Sequence, residues 1–161
     1  MNAAEKVTQN LLQVRTAIEQ ACQQTGRPAQ SVHLLAVTKY ASDEDVLALL
    51  QTGQITHIGE SRVQQACARW QSSSFAKFPV YKHFIGHLQR NKVKSVVGRC
   101  DLIQSVDSEE LLELIDRRAA ALGIRQDILL EVNIGGEENK TGASREEVAA
   151  SLEAGAEVES I

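Results

Sequence analysis

Five times in 161 residues a short apolar run gives way to a polar break and then to residues of helical period, and no other feature narrows the possible folds as far. The runs are His33 to Lys39, Ile55 to Gly59, Val80 to Ile85, Leu102 to Val106 and Ile128 to Ile134. Each is too short for a helix and reads as a strand, and the run ending at Lys39 reads as a buried one. The helices that cover them carry their own punctuation. A first amphipathic stretch, about 2 to 24, sets Val7, Leu11, Leu12, Val14, Ile18 and Cys22 at helical spacing and stops at Gly26-Arg27-Pro28. Ser42 caps a second, with Val46, Leu47, Leu49 and Leu50 as its apolar face and Gly53 as its stop. Further helices are predicted over Ser61 to Trp70, Leu88 to Val97, and from Ser108 to Gly123 with Leu111, Leu112, Leu114, Ile115, Ala119 and Leu122 on one side. Gln71 to Pro79 reads as a polar loop. Ser144 and Glu147 form a capping box for a last helix after the loop Gly135 to Ala143. Strands alternating with helices require a parallel sheet with right-handed crossovers.

Composition closes off several classes of function. With 43% hydrophobic and 24% charged residues the chain has an ordinary globular balance, and its net charge of -4 offers nucleic acid or an anionic membrane no broad basic field. The basic cluster Arg90, Lys92, Lys94 and Arg99 lacks interleaved aromatics and reads as a solvated helix face. No apolar run approaches the roughly 20 residues of a membrane span, and the polar start lacks a signal-peptide core. Cys22, Cys67 and Cys100 are odd in number and far apart, which suits packed free thiols in a reducing cytoplasm and no metal site.

What the strands carry at their ends is more telling. No glycine-rich dinucleotide turn and no P-loop is present. Single polar groups stand there instead: Lys39, Glu60, His87, Ser105 with Asp107, and Asn133. Polar residues gathered from successive strand ends are the layout of a (β/α)8 barrel mouth. Five units do not close such a barrel, so the alternatives are a smaller open sheet or an incomplete chain. At Lys39 two readings stay open on the residues alone. A strand-end lysine can simply reach into water, or it can be desolvated and attack a carbonyl as a neutral amine. His83 reads as a packed strand residue or an acid-base group, Asn133 as a loop tie or a ligand-orienting amide, and Lys140 as a solvated or a second site amine.

Taken together, Leu35-Ala36-Val37-Thr38-Lys39, Ile58-Gly59-Glu60-Ser61-Arg62-Val63-Gln64, His83-Phe84-Ile85-Gly86-His87-Leu88-Gln89-Arg90-Asn91-Lys92, Ser105-Val106-Asp107-Ser108 and Glu131-Val132-Asn133 through Thr141-Gly142 resemble the pyridoxal phosphate homeostasis protein family. The resemblance implies a (β/α)8 TIM barrel of the alanine racemase N-terminal type, of which residues 1–161 would supply the N-terminal helix and the first five strand-helix units of a single domain, incomplete at its C-terminal end. It also implies pyridoxal 5'-phosphate held by Lys39 as a Schiff base, with Ser61, His83 and Asn133 about the cofactor. The implied role is intracellular vitamin B6 homeostasis without catalysis, in a cytoplasmic protein that is monomeric at full length and passes its cofactor to dependent apoenzymes. An amino-acid racemase-like enzyme is the alternative. A two-base racemase needs a group opposite its lysine, and Tyr40, following Lys39 directly, should point away if the strand continues. Three departures from the family's pattern stand out: Ser61 where an asparagine is usual, Lys82 where an aromatic is usual, and Gln104 where a histidine is usual.

Overall fold

The computed structural model describes residues 3–135, 142–144 and 148–149. The apolar runs form five parallel strands, β1 (Leu35–Val37), β2 (His57–Glu60), β3 (Tyr81–Phe84), β4 (Leu102–Val106) and β5 (Asp127–Leu130), in the spatial order of the sequence. Every neighbouring pair is parallel, with Val37 beside Gly59, Gly59 beside His83, and His83 beside Leu102. The five parallel strands expected from the sequence are therefore present, in the strand succession of a barrel wall, while most of the helix expected after β5 lies outside the described residues.

Helix α1 (Ala3–Thr25) precedes β1, and between the strands run α2 (Asp43–Gln51), α3 (Val63–Gln71), α4 (Ser73–Ala76), α5 (Val93–Val96) and α6 (Glu109–Leu122). Ser42 and Ser108 cap α2 and α6 as expected, each hydroxyl accepting from an amide three residues on. Three helices differ from expectation. The helix after β2 starts at Val63 and not Ser61, because Arg62 remains extended at φ -115° and ψ 119°. The loop predicted over Gln71 to Pro79 contains α4, which buries Phe75 at 5 % exposure and is thereby anchored despite its two serines. The helix predicted from Leu88 to Val97 is reduced to a 3-10 turn at Arg90–Lys92 and the single turn of α5. In α1 only the stripe through Leu11 and Cys22 is buried, while Leu12 and Val14 face solvent. The run predicted to reach Ile134 leaves the sheet after Leu130, and Val132 then makes an isolated bridge to Ala143. The capping-box glutamate, Glu147, and Lys140 lie outside the described residues.

The sheet has two unlike faces. Towards the helices it presents Ile58, Phe84, Ile103 and Val106, buried against Val46, Leu50, Ala66, Leu111 and Ile115. Each such side chain contributes about 2 kcal/mol through removal from water. The other face carries His57, His83 and Gln104, together with Val37 at 51 % exposure. Among the described residues β1 and β5 each pair on one side only. No helix there is long and apolar enough to cross a membrane.

Candidate functional site

Lys39 follows β1 in a tight turn whose construction explains its rigidity. Thr38 still hydrogen-bonds as a strand residue, its amide donating to the Gly59 carbonyl at 2.9 Å. The chain then reverses over Lys39 and Tyr40, and the Ala41 amide closes the turn on the Thr38 carbonyl at 3.0 Å. Because β1 ends at Val37, alternation no longer governs Tyr40. Its ring stays beside the lysine, with Lys39 Nζ 5.3 Å from the ring centroid and the Arg62 guanidinium at the same distance. The expectation that Tyr40 points away held only for a continuing strand, and β1 does not continue to it. Lys39 itself is half-buried.

Beneath the turn lies a buried polar knot that the sequence did not announce. Glu60, expected at the mouth, is instead wholly buried on the helix side, where strand alternation puts it in phase with Ile58. It accepts from the Thr38 hydroxyl at 2.6 Å and from the guanidinium of Arg69 on α3. Arg69, 3 % exposed, also donates to the carbonyls of Thr38 and Ala41, each at 3.1 Å, and to Asp43 at 2.7 and 2.9 Å. One guanidinium therefore holds both ends of the Lys39 turn and the start of α2. The second oxygen, Glu60 Oε2, is buried without a hydrogen bond to any described residue.

Ser61 and Asn133 are half-buried just past the C-terminal ends of β2 and β5, at the edge of the sheet where Lys39 also stands. The Asn133 amide donates to the Ala143 carbonyl at 2.9 Å, which fixes the chain after β5. His83 sits lower, inside β3, and is tied sideways. Its Nε2 lies 2.9 Å from His57 Nδ1, and its Nδ1 lies 2.8 Å from the amide nitrogen of Gln104. Burial lowers its pKa below the ordinary imidazole value, and His57 beside it lowers it further, against a smaller opposing pull from Asp101. The Tyr81 hydroxyl donates to Asp127 at 2.9 Å across the same face, and burial raises the phenol pKa ahead of that carboxylate. Gln104, one of the departures from the family's pattern, thus has a visible use as the partner of His83. His87 stands at the end of β3, 3.3 Å from Asp107, beside a polar hollow of about 380 Å³ that Arg90 and Ser108 also line. An apolar cleft of about 290 Å³ opens between α1, β1 and α2. Lys39 lines neither. Among the described residues no group of three or more metal-ligating side chains is gathered.

Set against known proteins, residues 10–161 match the family model described as alanine racemase, N-terminal domain. A pyridoxal phosphate homeostasis protein of Aquifex aeolicus is 36% identical over 91% of this chain and 61% of its own length, and one from Pasteurella multocida is 34% identical over 88% and 60%. The chain thus spans about three fifths of the length of these curated relatives. Among solved structures, an unknown protein from Bifidobacterium adolescentis superposes with a TM-score of 0.87 at 34% identity, covering 99% of this chain and 67% of that one. PipY of Synechococcus elongatus with PLP bound superposes at 0.74 and 30% identity, covering 89% and 65%. An alanine racemase of Clostridium difficile, 16% identical with a TM-score of 0.63, shares the fold.

Proposed function

The chain belongs to the alanine racemase N-terminal domain family, and on that premise we propose that it binds pyridoxal 5'-phosphate through Lys39 and serves the homeostasis of that cofactor without catalysing a reaction of its own. The observation that carries the proposal is the half-buried Lys39 amine on a turn fixed at both ends, at the C-terminal edge of a parallel sheet. The residues fit the aldehyde end of the cofactor: a primary amine on a rigid turn, with Ser61 and Asn133 at the ends of other strands along the same edge. The relatives named as homeostasis proteins and the PLP-bound PipY structure support the same assignment. When bound, the cofactor supplies an electrophilic aldehyde conjugated to a pyridine ring. The chain's own part is to hold the amine and to offer polar groups at other strand ends along the same edge, with His83 proposed as a further polar group facing the cofactor. Dependent apoenzymes are the proposed recipients, the cytoplasm the proposed compartment, and a monomer the proposed state of the full-length protein.

What stands beside the amine supports the proposed absence of turnover. Racemisation needs an acid-base group on each side of the substrate carbon. Tyr40 stands beside Lys39, and the residue is 78 % exposed. An open phenol flanked by two cations does not make a sequestered second base.

Addition of pyridoxal phosphate should generate a visible absorption band that Lys39→Ala abolishes, and borohydride should fix the label on the peptide containing residue 39. Label on Lys140 instead would overturn the assignment of the lysine. Loss of chirality from an amino acid at enzymatic rates, dependent on Lys39, would overturn the absence of catalysis.

A further inference from the structure

We infer that Arg69 is the positioning residue for Lys39: one buried guanidinium, held in place by Glu60, grips the carbonyls of Thr38 and Ala41 and so fixes the turn that carries the amine. The inference rests on the assignment of Lys39 as the cofactor's lysine and adds to it the device that holds that lysine still.

The geometry is specific to a planar fork. Arg69 spends one arm on the Thr38 carbonyl and Glu60, the other on the Ala41 carbonyl and Asp43, with its Nε also on Asp43. A lysine has donors on a single nitrogen and cannot reach both carbonyls from the same seat. The Phe75 ring lies 5.6 Å from the guanidinium carbon and backs it. The stake is high because the group is buried. Glu60, at 0 % exposure, would be an uncompensated charge without Arg69, and Arg69 without Glu60 would lose the anion that orients it. Nothing in the core of the sheet requires this arrangement, since Ile58 and Phe84 fill the same face with apolar side chains. What the pair adds is a fixed connection from α3 to the turn after β1. Effective alignment of an amine depends on how narrowly its backbone is held, and a loosened turn lowers its advantage over an ordinary surface lysine.

Two variants test this. Arg69→Lys keeps the charge beside Glu60 and removes the fork. Arg69→Gln combined with Glu60→Gln removes the clamp without leaving a buried charge, so it remains informative where the first fails to fold. Two measurements are made on each: amide exchange at Ala41 against amides of the β2–β3 ladder, and the share of borohydride-fixed pyridoxal phosphate on Lys39 against exposed Lys77 and Lys94. Exchange at Ala41 should quicken by about tenfold or more while the ladder is unchanged. The Lys39 share should fall about fivefold or more. A folded variant with unaltered Ala41 exchange and unaltered Lys39 share overturns the inference. So does acceleration of turn and ladder together in both variants, which makes Arg69 a general support of the fold. If the unsubstituted chain labels Lys39 no faster than Lys77 and Lys94, the assignment of Lys39 fails, and the exchange measurement still decides the clamp.

Discussion

A methyl group on Gly86 would stand 2.1 Å from the carbonyl oxygen of Ser61 and 2.7 Å from its Cα. The chain leaving β3 thus passes flush against the chain leaving β2, at the strand end where Ser61 is proposed to meet the cofactor. The Ser105 hydroxyl, donating to the Gly86 carbonyl, locks the crossing from the other side. Glycine is required here for space and not for an unusual backbone angle.

Gly86→Ala should therefore destabilise the fold by about 3 kcal/mol, since the nearest obstructing atoms are all Ser61 backbone and no flexible side-chain end can move aside. Chemical denaturation of the two proteins measures this. A change below about 0.5 kcal/mol would show that the two strand ends slide apart freely.

Gly123 makes the opposite case. It ends α6 in the left-handed region at φ 66°, with open space where a Cβ would go. Gly123→Ala should cost only the dihedral strain, about 1 kcal/mol. A loss as large as that of Gly86→Ala would contradict the assignment of these two glycines to different causes.

The contrast also marks what the sequence discloses. α6 was legible at both ends, because Ser108 and Gly123 act on groups three or four residues away. β4 was legible because Leu102, Ile103 and Val106 form a short, largely apolar run that ends at the polar Asp107-Ser108. The start of the helix after β2 is not legible, since nothing in Ser61-Arg62 announces that Arg62 stays extended. The turn of α4 was hidden among serines because its anchor is one side chain, Phe75, buried by elements distant in sequence. In the site, Lys39 was visible as a charge ending an apolar run. The Glu60–Arg69 pair was not, since a strand-end glutamate and a helical arginine nine residues on look alike whether they meet or face water. Only alternation hinted at it: Glu60 shares the parity of Ile58, the side that packs on helices.

Stability should fall in mild acid on account of His83. Burial and its neighbour His57 hold its folded pKa below the ordinary value of about 6.5. The folded chain accordingly binds fewer protons than the unfolded one between those two values. The stabilisation is complete above about pH 6.5 and is lost as pH drops through the folded value, at no more than about 1.4 kcal/mol per pH unit. Denaturation from pH 7.5 to 5 should show this slope, and His83→Gln should flatten it. An identical slope in both proteins would assign the effect to other groups.

The three thiols should differ sharply towards alkylating agents. Burial, reinforced by the carboxylate of Asp101, pushes the Cys100 thiol up to about 12. At pH 8 its thiolate fraction is then roughly a thousandth of that of an ordinary cysteine. Cys67 is half-buried, while Cys22 is buried like Cys100. Timed labelling of the native protein with peptide mapping should find Cys67 modified first and Cys100 last. Early modification of Cys100 would mean that the floor between α5 and β4 opens far more often than its burial implies.

The plain succession of the strands bears on how the molecule is made. Each strand pairs with the one before it, with paired residues roughly 20 to 25 positions apart along the chain. A ribosome releases the chain in that same order, so every new strand emerges to find its only earlier neighbour already present. The sheet can grow by accretion from β1 to β5 without waiting for a distant partner. Every residue of the clamp on the Lys39 turn, from Thr38 to Arg69, also precedes β3 in the chain, so that turn needs no later strand for its closure.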